Sequence, residues 1–169
     1  MDTAMEQQKL EEMLDRAVRE VTRRTAGVEL FKTQEPPFGD LCTVYITFKN
    51  GFQSSLTLWG NISLLARMAR SALREEHLTQ QDLEDFSKEY FNILCGKIAA
   101  LLFQATKVPA RFSVPALYQG RFEPEGHSRQ FVLTYTDDQR QGVQLVHHVP
   151  DRRQEDGLAE SLLINERGD

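Results

Sequence analysis

Leu83-Glu-Asp-Phe-Ser-Lys-Glu-Tyr-Phe-Asn-Ile-Leu-Cys-Gly-Lys-Ile-Ala-Ala-Leu-Leu-Phe-Gln-Ala105 carries the strongest periodic signal in this 169-residue chain. Leu83, Phe86, Tyr90, Leu94, Ile98, Leu101 and Ala105 recur at spacings of three and four. That period predicts one long helix with an apolar stripe. Thr79 stands before it with Asp82 three residues on, so Thr79 caps the first turn and Asp82 suits its positive end. Pro109 follows the stripe, where a helix tolerates it poorly.

The opposite face is polar. At 100° per residue, Asp85, Glu89, Asn92 and Gly96 fall within an arc of roughly 60°. Taken singly, such residues make an ordinary solvated face. Gly96 is unusual, because glycine inside a helix costs about 1 kcal/mol against alanine. One return for that cost is close approach of another backbone.

Outward from this helix, the chain divides into strands and helices that do not alternate. Thr3 and Glu6 form a capping box before an amphipathic helix through Leu10, Met13, Leu14, Ala17, Val18 and Val21. Gly27 ends it, and a strand is expected over Val28–Thr33. Leu41–Lys49 and Phe52–Trp59 alternate around Asn50-Gly51, a hairpin signal. Asn61 is then expected to cap a helix carrying Ile62, Leu65, Ala66, Met68, Ala69 and Leu73. Beyond the long helix, Arg111–Leu117, Arg129–Thr136 and Val143–Val149 read as strands. Strands grouped apart from helices favour an α+β fold over a doubly wound sheet. Residues 1–149 are expected to form one domain, and 150–169 a loosely held charged tail.

Composition narrows the function. The formal net charge is −5, and no basic stripe interleaved with aromatics is present, which argues against nucleic acid. No apolar run approaches the ~20 residues that span a bilayer, and the N-terminus lacks a signal-peptide core. A cytoplasmic chain is therefore expected, with Cys42 and Cys95 as free thiols. His147-His148 has no third ligand spaced to join it, so no metal site is expected.

Asp85-x-x-x-Glu89-x-x-Asn92, followed after 22 residues by Pro115, resembles the signature of the CheC/CheX/FliY phosphatases of bacterial chemotaxis. Gly96 also fits the family's Asn-x-x-x-Gly habit. Asn50–Trp59 looks like the family's central hairpin strand, and Phe112–Gly120 like the strand after its long helix. The resemblance covers about residues 5–148. Of the four asparagines, Asn50, Asn61, Asn92 and Asn165, only Asn92 has a glutamate three residues before it. The chain therefore resembles the single-site CheX type rather than the two-site CheC type.

The resemblance implies a mostly antiparallel sheet in two three-stranded halves covered by long helices. It also implies a phosphatase that hydrolyses the aspartyl phosphate of a CheY-type receiver domain. Asn92 would orient the attacking water and Glu89 would anchor the partner through its active-site lysine. Asp85 and Gly96 would serve partner binding, and Pro115 would be a structural part of the motif. No cofactor of its own is implied, since the magnesium ion belongs to the receiver. CheX relatives are homodimers, so a homodimer is implied too. The alternative is a non-catalytic module of the same fold that docks a receiver or a flagellar-switch protein.

Overall fold

A computed structural model describes residues 3–50, 55–107, 109, 111–123 and 128–150. Its elements are α1 (Thr3–Ala26), β1 (Phe31–Lys32), β2 (Leu41–Asn50), β3 (Ser55–Asn61), α2 (Ile62–Leu73), α3 (Gln80–Thr106), β4 (Arg111–Phe112), β5 (Ala116–Gln119), β6 (Ser128–Thr136) and β7 (Gly142–Pro150).

Helix α3 forms where the periodicity places it, and its first turn is closed on both sides. Thr79 Oγ1 accepts from the Asp82 N–H at 3.0 Å, and the Thr79 N–H donates to Asp82 Oδ2 at 3.1 Å. Phe86, Tyr90, Leu94, Ile98 and Leu101 of the stripe are buried, joined by Phe91, Cys95 and Leu102. The buried face is wider than one stripe because α1 and α2 pack beside α3 while the sheet lies beneath it. Ala105, assigned to the stripe, is exposed in the last turn. The buried Tyr90 hydroxyl meets Thr22 of α1, whose own hydroxyl donates to the Val18 carbonyl.

All strand pairings are antiparallel, in the order β1-β6-β7-β3-β2-β4, with β5 also paired to β2. The strands before and after the helix pair join in one sheet, as the α+β reading expects. β3 pairs with β7, setting Leu58 opposite Leu145, so the two groups close into one seven-stranded sheet. Val44, Ile46, Leu56, Leu58, Leu133, Tyr135, Val143 and Leu145 supply its core face. On the other face, Trp59 is covered by the segment after β5. Its Nε1 donates to the Phe122 carbonyl at 2.9 Å, and the Arg121 guanidinium lies 4.6 Å from its ring centroid.

Several local expectations are corrected. Val28–Thr33 yields only the two-residue β1, because Val28 and Leu30 turn into the core instead of extending the ladder. Arg111–Leu117 splits into β4 and β5 around Ser113–Pro115, so four strands follow the helices rather than three. Proline has no N–H to give a ladder, which suits it to such a break. Asn61 stands at the N-cap of α2 but makes no capping bond. Its amide instead donates to the Phe38 carbonyl and accepts from the Gly142 N–H, both at 2.6 Å, tying two loops together. The Asn50-Gly51 turn and the tail beyond Pro150 lie outside the described residues. So do the side chains of Thr3 and Glu6. Among the described residues, no helix is long and apolar enough to cross a membrane.

Candidate functional site

The polar face of α3 forms one wall of an open groove of about 520 Å³. Asp85, Lys88, Glu89 and Asn92 line that wall, and Phe112, Ser113, Val114 and Pro115 line the other. Thus four of the five motif residues, Asp85, Glu89, Asn92 and Pro115, meet in one place. The 22-residue interval is the length that carries the chain to the end of α3 and back beside its first half. Gly96 does not line the groove. It lies half-buried about one turn beyond Asn92.

The second wall is fixed by its departure from the sheet. The Ser113 N–H donates to the Thr47 carbonyl at 2.8 Å, and Ser113 Oγ accepts from the Thr47 N–H at 3.1 Å. These two bonds pin Ser113 to β2 where the β4 pairing ends. Val114 then projects outward, 87% exposed, with Pro115 behind it. An apolar side chain so exposed beside a polar groove has nothing to pack against within its own fold.

The helix wall is unevenly occupied. Asp85 Oδ1 accepts from Gln81 Nε2 at 2.8 Å, one turn back. Among the described residues, the exposed side chains of Glu89 and Asn92 have no hydrogen-bond or ion-pair partner. Asn92 offers two N–H donors and a carbonyl acceptor, and Glu89 a carboxylate. Together they can hold a water and pair with an incoming cation. Lys88 and Val114 escaped the sequence reading. A lysine on a helix reads as solvated, and Val114 reads as a strand residue. The available signal for both was proximity, since Lys88 precedes Glu89 and Val114 precedes Pro115.

Other candidate groups are used inside the fold. Cys42 and Cys95 are free and buried, Cys95 wholly so. Burial pushes the Cys42 thiol up to about 11, with Glu84 adding to the effect, and pushes Cys95 higher still. His147 and His148 are consecutive in β7 and face opposite sides of the sheet. His147 stacks on Phe131, with centroids 6.0 Å apart, and His148 Nε2 lies 3.2 Å from Thr57 Oγ1. They cannot close on one ion. Arg67 of α2 clasps Asp137 and Asp138 in the β6–β7 turn, at 2.8 and 2.6 Å.

A groove cut between a long helix and a proline-bearing segment, over a single antiparallel sheet, is the arrangement expected from the resemblance to the CheC, CheX and FliY proteins. The chain is similar to CheX from Desulfovibrio desulfuricans, with a TM-score of 0.70 at 12% identity, covering 82% of this chain and 97% of that one. For CheX from Vibrio vulnificus the values are 0.67, 15%, 81% and 93%. For a CheX-CheY-BeF3-Mg complex from Borrelia burgdorferi they are 0.67, 16%, 83% and 97%. These TM-scores show a shared fold. The profile of the family described as chemotaxis phosphatase CheX matches residues 42–135, more than half of the chain, and the chain belongs to that family. No curated protein sequence matches it.

Proposed function

We propose that this protein hydrolyses the aspartyl phosphate of a CheY-type receiver domain. The carrying observation is that Glu89 and Asn92 stand exposed in one groove, facing the segment that bears Pro115, with no partner among the described residues. No described residue of the fold pairs with these two groups, which keeps both available to a partner. The family's description as a phosphatase, and the structure of a related CheX with CheY and BeF3-Mg, support the choice of reaction and partner.

An acyl phosphate is already reactive, so catalysis of its hydrolysis is chiefly positioning and charge stabilisation. The Asn92 carboxamide holds a water in line with the leaving carboxylate. The water oxygen bonds to phosphorus as the bond from phosphorus to the aspartyl oxygen breaks. The aspartate carboxylate is regained, and the water proton leaves with inorganic phosphate or to solvent. Glu89, one turn away, pairs with a lysine of the receiver and sets the register of the helix. Asp85, already bonded to Gln81, borders the contact, and Gly96 admits the partner's backbone. The magnesium ion is carried by the receiver, and the reaction takes place in the cytoplasm.

The test is a time course of phosphoryl loss from receivers charged with a small phosphodonor. Wild type should accelerate the decay, and Asn92→Ala should abolish the acceleration while its circular dichroism stays unchanged. Equal acceleration by both proteins would remove Asn92 from the mechanism. Receiver binding by wild type without acceleration would make the chain a docking module.

A further inference from the structure

Two carboxylates, Asp85 and Glu89, line the groove. A phosphoryl group carries close to two negative charges, so a groove holding carboxylates alone would repel the substrate proposed for it. Lys88 is the cation among the described residues that line this groove.

Its placement is not what helix energetics alone would select. Glu84 lies four residues before Lys88, the spacing and order that best pair a glutamate with a lysine. Glu84 instead receives Gln80 Nε2 at 3.5 Å, and Lys88 makes no ion pair among the described residues. Lys88 lines the groove one turn before Asn92, the residue assigned to the water. An ammonium on a four-carbon stem offers three donors and adapts to a phosphoryl oxygen without a fixed approach angle. Charge developing on those oxygens in the transition state is what such a donor stabilises.

We propose that Lys88 contacts the phosphoryl oxygens of the bound substrate, making the groove selective for the phosphorylated partner over the bare one. This assignment rests on the phosphatase reading above. It adds a substrate-contacting cation to Glu89 and Asn92.

The experiment uses the full chain and the receiver domain that wild type dephosphorylates fastest. Affinity is measured for that receiver bare, and for the same receiver carrying beryllofluoride and magnesium as a phosphoryl mimic. Wild type should prefer the charged form, and Lys88→Met should reduce that preference and kcat/KM by about tenfold or more. Lys88→Met should leave affinity for the bare receiver unchanged, and Lys88→Arg should retain most of the preference. If Lys88→Met keeps the wild-type preference and rate, Lys88 is a solvated surface residue and the assignment fails alone. If both forms of the receiver weaken equally, Lys88 is a general docking contact and the phosphoryl role is wrong. If wild type dephosphorylates no receiver, the phosphatase reading fails and takes this role with it.

Discussion

Beyond its own stretch of helix, a Cβ on Gly96 would meet no atom of the described residues within 4 Å. The helix therefore bears the cost of a mid-helix glycine without any close contact inside the fold that requires it. Gly96→Ala should raise stability by about 0.5–1 kcal/mol, read from urea unfolding. If the space is reserved for the partner's backbone, the same variant should bind the receiver more weakly. A variant that is stabilised and binds as well as wild type would leave Gly96 without a docking role. At this scale the sequence was informative where spacing constrains geometry. Asp85, Glu89 and Asn92 share a helical arc whatever surrounds them, and the interval to Pro115 fixes the return of the chain. Lys88 and Val114 were illegible because their significance lies in what stands across the groove from them.

Among elements, local chemistry predicted those ends where it is self-sufficient. Thr79 and Asp82 close α3 with bonds made only to each other's neighbourhood, so the capping box could be read directly. Asn61 precedes α2 as a cap should, but Phe38 and Gly142 compete for its amide and win. Neither competitor is visible from position 61. Val28–Thr33 failed for a similar reason, since alternation cannot say whether an apolar residue faces the sheet or the helices. The observed β1 leaves a consequence at the sheet edge. It covers only Tyr135 and Thr136 of β6, with one further bond from the Thr33 N–H to the Thr134 carbonyl at 3.0 Å. Among the described residues, no strand pairs with the outer side of Ser128–Leu133. An uncovered edge is a template for another strand. We propose that a second copy of the chain pairs there, and light scattering at micromolar concentration should then give about twice the monomer mass. A monomeric mass would refute the pairing.

Over the whole molecule, acid stability should reflect the histidines of β7. His147 is buried against Phe131, and its Nδ1 has no hydrogen-bond partner among the described residues. Burial pulls its pKa from 6.5 down to about 4, with His148 adding to the effect. Above pH 6.5 the group is neutral in both folded and unfolded chains and contributes nothing to pH dependence. Between 6.5 and about 4 the unfolded chain binds the additional proton, so stability falls as the pH falls through that window. Burial lowers His148 as well, in the same sense. The urea midpoint should therefore drop between pH 7 and pH 5, and His147→Leu should drop less. Identical slopes for the two proteins would remove His147 from the account.

The buried cysteines have a practical corollary. Both thiols are enclosed, and burial holds both in the protonated, unreactive form at neutral pH. They are the only two cysteines in the chain, so the native protein already offers a thiol-directed reagent no ready target. A cysteine introduced at Val114 could carry a fluorophore or cross-linker without first stripping the background. A dye there would sit on the rim of the groove and report the arrival of a partner directly.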